Sequence, residues 1–276
     1  MYNGENLKMK IIALDLDGTL TDSNKKITPK TKQALNHVAE QGIIIVLASG
    51  RPLLGITKLS EELELSKFGG YILAYNGGQI IDCKTGNVVY EKIIPIRLYS
   101  RICELAREYQ VEPLAYKDGE LFAESDKDVY VQKEAFNNST SITVVDKLEK
   151  YIDKEVPKFM VVGDHEKLLA LQKQMQSEFG DILNIFFSES YFLEILPEGI
   201  EKAKSLDILL DKLGLSSDEL LAFGDGLNDI PMLEYAGIAV AMENAYEPVK
   251  EVADHITLSN DEDGIAEFLQ KSGYLE

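Results

Sequence analysis

Residues 11–20 read IIALDLDGTL, and this stretch decides both the fold and the place to look for chemistry. Ile11 to Leu14 have the profile of a buried strand, and the apolar run stops at two carboxylates, Asp15 and Asp17, that flank one leucine. Side chains two apart on an extended segment share a face, so both carboxylates are expected to look at one centre. Gly18 allows a sharp exit from the strand, and the Thr19 hydroxyl can support a carboxylate. Acidic residues at the carboxyl end of a sheet strand stand where open α/β sheets bind ligands. Aspartate there serves as nucleophile, as general acid or base, or as ligand to a hard metal. A surface turn after a strand also favours Asp and Gly, so the decision falls to the rest of the chain.

Outward from this strand, Thr28-Pro29 opens a helical pattern that runs to Gln41, with Thr28 as N-cap, Pro29 in the first turn and Gly42 closing it. Ile43 to Ala48 follows as a second buried strand and ends in Ser49-Gly50-Arg51-Pro52. Strand, helix, strand over this distance is a βαβ unit, which implies a parallel sheet. A helix over residues 53–64 leads to the strand YILA at 71–74 and then to Asn76-Gly77-Gly78.

From residue 80 to 190 the character changes. Short strand-like pieces (QIIDC, VVYEKI, LFAES, KFMVVG, YFLEIL) alternate with helical stretches near 96–109 and 165–179. The βα rhythm then resumes: a helix at Lys202–Leu213, the strand LLAF at 220–223, a short helix at Asn228–Tyr235, the strand-like GIAVAM and a last helix around Gly264–Leu269. Because the rhythm resumes, the middle piece reads as an α+β domain inserted over 83–189, with 1–82 and 190–276 forming an α/β core.

Composition narrows the function. With 45% hydrophobic and 27% charged residues the chain is globular, and 276 residues suffice for a core plus an inserted domain. Against 28 Lys and Arg stand 47 Asp and Glu, a formal charge of -19. Such a field repels nucleic acid and anionic membrane, so neither is an expected partner; an anionic small molecule needs a local cation or metal. Cys83 and Cys103 lack a CxxC spacing, MYNGENLKMK at the start lacks a signal-peptide core, and no apolar run approaches membrane-spanning length. A cytoplasmic protein is the expectation. His37, His165 and His255 are scattered without ligand spacing, which speaks against zinc.

Four segments put useful residues at strand ends or helix starts. Besides Asp15-Leu16-Asp17 there is Ser49-Gly50, whose hydroxyl and backbone N–H can hold a phosphate oxygen, although Ser49 taken alone reads as an N-cap. Lys202 opens the helix after LPEGIE, and a carboxylate centre that handles phosphate needs a fixed cation of this kind. GDGLND at 224–229 follows LLAF directly, with Asp225 at the strand end between glycines and Asn228 and Asp229 at the next helix. A turn role for Asp225 and a helix-dipole role for Asp229 are the alternatives.

Two acidic strand ends, a Ser-Gly strand end and a lysine, in this order around one insertion, resemble the haloacid dehalogenase superfamily, and within it the Cof-type phosphatases with a type IIB cap. DLDGTL (15–20), ASGRP (48–52), IEK (200–202) and GDGLNDIPML (224–233) stand at that family's four motifs. YNGGQI (75–80) and AVAMENAYEPVKEVADHIT (239–257) follow the subclass pattern. The resemblance extends over essentially the whole chain and is weaker in the insertion. Ser49 stands where threonine is commoner, Ala203 where glycine often follows the lysine, and Gly226-Leu227 in place of a more polar pair; none of these removes a reacting group.

The resemblance implies a Rossmann-like three-layer core with a parallel sheet, plus an inserted α+β cap of the C2B type. It implies a phosphoric monoester hydrolase that uses Mg²⁺ and acts on small phosphorylated metabolites, sugar phosphates first, through an aspartyl-phosphate on Asp15. Asp17 is then the general acid and base, and Mg²⁺ is held by Asp15, the Asp17 carbonyl and Asp225. Ser49, Gly50 and the Leu16 N–H bind phosphate oxygens, and Lys202 neutralises charge. Asn228 gives an amide to the phosphate or to Lys202, and Asp229 orients Lys202 or a metal-bound water. Cap side chains select the substrate; Tyr116, Phe122, Glu124 and Tyr130 read as cap core rather than pocket, and Arg51 as a partner in a structural ion pair. A monomer or weak homo-oligomer is expected. The alternatives are a phosphomutase, against which the cap's scarcity of arginine leans, and a non-catalytic phosphometabolite sensor, against which the complete set of reacting residues speaks.

Overall fold

The computed structural model describes residues 9–138 and 140–275; most of the stretch inspected for a signal peptide lies outside them. The chain divides into two compact units. One takes the chain up to Gly50, then Ile56–Tyr90 and the chain from Glu201 onward; the other takes Arg51–Gly55 and Glu91–Ile200.

The first unit is an α/β core. Its strands are β1 (Ile11–Leu14), β2 (Ile44–Ala48), β3 (Tyr71–Ala74), β4 (Gln79–Asp82), β5 (Val88–Glu91), β6 (Leu220–Gly224), β7 (Ile238–Ala241) and β8 (His255–Ile256). They form one sheet in the order β8-β7-β6-β1-β2-β3-β4-β5. From β8 to β3 every pairing is parallel, and β4 then runs antiparallel to β3. β1 is buried along its whole length, as a strand covered on both faces must be, and this is why it reads as an unbroken apolar run. Ile11 and Ala13 pack with Leu206, Leu209 and Leu210 of the helix Lys202–Leu213 on one face. On the other, the Phe223 ring meets Phe268 of the helix Gly264–Lys271 edge-on at 5.5 Å. Helices on both faces make the three layers.

Local signals account for the first crossover. The helix Pro29–Glu40 starts at Thr28, whose hydroxyl accepts the Thr31 N–H at 3.2 Å, and Gly42 leaves it with φ +91°, a backbone region open to glycine. In register, Leu14 lies opposite both Leu47 and Phe223, and Ala48 lies opposite Leu73. The carboxyl ends of β1, β2, β3 and β6 are therefore level, and the segments that follow them begin side by side.

The second unit is α+β. Its sheet orders as Leu183–Glu189, Phe192–Pro197, Phe159–Val162, Glu112–Lys117, Glu120–Ala123, Ile142–Val144, antiparallel except for the last pair. Helices Tyr99–Glu108 and His165–Phe179 pack on one face through Ile102, Leu105, Leu168 and Leu171. Helix Val129–Asn137 packs on the other with Leu114 and Met160, through Val131 and Ala135. That third helix is absent from the sequence reading, because the apolar residues of VYVQKEAFN do not keep to one face: Val131 and Ala135 are buried while Val129 and Phe136 are exposed. Tyr116 is buried and donates to Glu134 at 2.8 Å, Phe122 packs on the core, Glu124 holds Arg107, and Tyr130 stacks on Tyr191 at 4.6 Å. Arg51 donates to the Gly55 carbonyl at 3.2 Å.

The borders of the units differ from the expected 83–189. Gln79–Asp82, inside the expected 1–82, is β4 of the core sheet; VVYEKI, beyond that border, supplies β5 of the same sheet, whereas YFLEIL, expected in the core, is a strand of the second sheet. Short strands of similar composition are told apart only by the partner each one bonds. Among the described residues no helix is long and apolar enough to cross a membrane.

Phe223→Ala removes a fully buried ring from the middle of β6. The expected cost is about 3–5 kcal/mol, read as a lower urea midpoint with the far-ultraviolet spectrum kept; an unchanged midpoint contradicts the packing described.

Candidate active site

Asp15 stands one residue beyond β1, with its N–H still bonded to the Phe223 carbonyl at 3.1 Å. By the two-residue period it shares the face of Ile11 and Ala13, the side covered by the helix that begins with Lys202. The Lys202 ammonium reaches Asp15 Oδ1 at 2.5 Å and Asp229 Oδ1 at 2.6 Å. Lys202 is 1% exposed, Asp15 7% and Asp229 0%, so the three side chains meet out of water. Asp229 Oδ2 accepts the backbone N–H groups of Asp225 at 3.0 Å and Gly226 at 2.9 Å. Asp229 thus folds the segment after β6 back on itself and sets Asp225 beside Asp15. Thr19 Oγ1 donates to Asp225 Oδ1 at 2.6 Å. Gly18 has φ +87°, and a side chain there would overlap the Asp225 carboxylate, so glycine is needed for both backbone and space.

Asp17 lies beyond the end of the strand, and its charge is among those that raise Asp225. β1 ends at Leu14, and the chain turns, with the Thr21 N–H and hydroxyl both donating to the Leu16 carbonyl at 2.9 Å. The Asp17 side chain, 38% exposed, pairs with Lys25 at 2.7 Å. Lys25 sits at φ +62° in a turn that Asp22 closes by accepting the N–H groups of Asn24 at 2.8 Å and Lys26 at 2.9 Å. Sequence reasoning missed Lys25; the signal was Asp22-Ser23-Asn24, a run of turn formers shortly after the acidic pair. It also missed two braces of this loop. Asn244 donates to the Gly18 carbonyl at 2.7 Å, and Asn260 to the Thr21 carbonyl at 2.8 Å.

Ser49, buried, ends β2; its N–H bonds the Leu73 carbonyl and its own carbonyl accepts the Asn76 N–H, both at 2.9 Å. Gly50 lies against the Asn76 amide, where a side chain would come within 3.2 Å. Asn228 is exposed and donates to Asn76 Oδ1 at 3.4 Å; Asp229, not Asn228, is the partner bonded to Lys202. Leu16 is fully buried in the turn.

The electrostatics ask for a cation. Burial, and then the charge of Asp229, push the Asp15 carboxyl up to about 8, against the pull of Lys202. Asp225 rises to about 6, chiefly by burial, opposed by the Thr19 hydrogen bond. Burial alone would lower Lys202, but the charges of Asp15 and Asp229 outweigh it and hold the ammonium well above its usual range. Asp15, Asp225 and Asp229 bring one carboxylate oxygen each within 4.8 Å of one another. Asp229 already takes Lys202 and two N–H groups, which leaves Asp15 and Asp225 as the pair that fits a hard, oxygen-seeking divalent ion.

A level row of parallel strand ends, carrying clustered aspartates and a buried lysine, defines a hydrolase of the haloacid dehalogenase type. The haloacid dehalogenase-like hydrolase family model matches residues 12–269, and the chain belongs to that family. A haloacid dehalogenase-like hydrolase from Bacteroides thetaiotaomicron superposes with a TM-score of 0.93 at 45% identity, over 95% of this chain and 99% of that one. A subclass IIB sugar phosphatase superposes with a TM-score of 0.80 at 26% identity, over 96% and 99%. The 5-amino-6-(5-phospho-D-ribitylamino)uracil phosphatase YcsE of Bacillus subtilis is 30% identical over 274 residues, 96% of each chain. The protein is accordingly an enzyme, a haloacid dehalogenase-like phosphatase.

The raised Asp15 carboxyl has a signed consequence for stability. Its folded value, about 8, lies above the ordinary 3.8, so between them the folded protein holds a proton that the unfolded chain has lost. That contribution is present at low pH and fades as pH rises through this window. The thermal midpoint gained on adding Mg²⁺ to EDTA-treated protein is expected to grow from about pH 5 to about pH 8. A gain that shrinks over that range contradicts the charge balance described.

Proposed function

We propose that the protein is a Mg²⁺-dependent phosphatase of small phosphorylated metabolites, with sugar phosphates and polyol phosphates as its substrate class. The buried Asp15–Lys202–Asp229 contact, with Asp225 beside it, carries this reading. The substrate class rests on two relatives, one a sugar phosphatase and the other acting on a phosphoribityl compound; both handle a phosphate ester on a polyhydroxylated carbon chain.

In this reading Asp15 attacks phosphorus in line, and the bond from phosphorus to the leaving oxygen breaks. Asp17 gives its proton to that oxygen and later removes one from the water that attacks the aspartyl-phosphate. The Asp15–phosphorus bond then breaks, inorganic phosphate leaves and both aspartates are restored. Lys202 offsets charge on Asp15 and the phosphoryl oxygens, while the Ser49 hydroxyl, the Gly50 and Leu16 N–H groups and the Asn228 amide hold those oxygens. Asp229 keeps Lys202 aimed and the 224–226 segment folded. The carboxylates of Asp15 and Asp225 and the Asp17 carbonyl would hold Mg²⁺, whose charge offsets the repulsion between carboxylates and a phosphate dianion. Substrate selection is assigned to the inserted unit, as a cap.

The test is phosphate release from a panel of sugar and polyol phosphates, in Mg²⁺ or EDTA, by wild type and Asp15→Asn. Release is expected to require Mg²⁺ and to fall about 10³-fold or more in the variant. Release that persists in Asp15→Asn would sink the nucleophile assignment.

A further inference from the structure

After β3 the backbone takes three successive left-handed residues, Tyr75 at φ +55°, Asn76 at φ +57° and Gly77 at φ +95°. Asparagine tolerates this region, but a bulky tyrosine is rarely found there, so the segment is held against its own preference. What holds it is contact on three sides. The Asn76 N–H bonds the Ser49 carbonyl at 2.9 Å, and the Gly77 carbonyl accepts Ser205 Oγ at 2.7 Å, one helical turn beyond Lys202. The third contact is Asn228, which donates to Asn76 Oδ1 at 3.4 Å.

The outcome is a single amide lodged against Gly50 and against Asn228, two residues from different segments that the preceding section assigns to phosphoryl oxygens. With Oδ1 engaged by Asn228, the end that Asn76 offers is its N–H₂ group. A neutral donor suits this centre, because it can bind an anionic oxygen without adding a charge that must itself be balanced among the carboxylates.

We propose that Asn76 is a further substrate-contacting residue, whose side-chain N–H donates to a non-bridging phosphoryl oxygen while its Oδ1 fixes Asn228. The proposal rests on the phosphatase reading. Its rival is purely structural: asparagine is present only because the backbone is left-handed.

Asn76→Gly separates the two, since glycine keeps the left-handed backbone and removes only the amide. Asn76→Asp keeps the shape and replaces a donor by a charge. Each variant is compared with wild type for thermal midpoint, for kcat and KM on p-nitrophenyl phosphate with Mg²⁺, and for inhibition by inorganic phosphate. Asn76→Gly is expected to keep its midpoint within about 2 °C, to lose about 10- to 100-fold in kcat/KM, and to bind inorganic phosphate about tenfold more weakly. Asn76→Asp is expected to be worse than Asn76→Gly on both activity and phosphate inhibition. Wild-type kinetics and phosphate inhibition in Asn76→Gly overturn the proposal and leave the phosphatase reading standing. A wild type that releases no phosphate and is not protected by it overturns both.

Discussion

Everything at the head of the core sheet is arranged around one buried ammonium. Lys202 is 1% exposed and bonds two buried carboxylates, so none of the three can be satisfied by water. Removing one partner from such a group leaves an uncompensated charge, which typically costs about 3–5 kcal/mol, and so the three side chains hold one another in place. They come from the end of β1, the start of a helix and the segment after β6, and their meeting fixes the relation of those three elements. Because Asp225 joins the same centre, three carboxylates face one lysine. The surplus of negative charge is what the proposed divalent ion would correct, and that correction would let a chain with a formal charge of -19 take an anionic substrate.

The sheet supplies the coarse positioning. Level ends of β1, β2, β3 and β6 deliver Asp15, Ser49, Asn76 and Asp225 to one rim. Side-chain parity then decides which of them look toward the Lys202 helix. The fine positioning comes from tight loops. Gly18, Lys25 and the run from Tyr75 to Gly77 all adopt left-handed backbone, at no cost for the glycines but against the preference of Lys25 and Tyr75, which surrounding hydrogen bonds must hold.

The last part of the chain contributes no reacting group to this mechanism, yet it holds the loop that carries Asp17 and Lys25. Asn244 and Asn260 bond the carbonyls of Gly18 and Thr21, and Asn260 is tied to Asn244 at 3.0 Å. Asp261 accepts from the Ser23 backbone at 2.8 Å and from its hydroxyl at 2.6 Å, while Thr28 bonds Asp263. A polar loop with few apolar contacts of its own is in this way made as definite as the strand before it.

Much of the site was legible in the amino-acid sequence alone, because the relevant signals are local. Apolar runs ending in Asp or Ser mark strand ends, Thr28 and Gly42 mark the limits of a helix, and the resumption of βα rhythm marks an insertion. Asp15, Ser49, Lys202, Asp225 and Asp229 all sit at such punctuation. The tertiary structure alone decided what depends on partners distant in the chain. It placed β5 in the core sheet and YFLEIL in the second one, since strand pairing is a matter of hydrogen-bonding neighbours and not of composition. It ended β1 before Asp17 and paired that side chain with Lys25, a partner eight residues on that the strand alternation does not announce. Of the two partners the sequence left open for Lys202, it chose Asp229 and not Asn228, because an ammonium taken out of water goes to the charge that is buried with it.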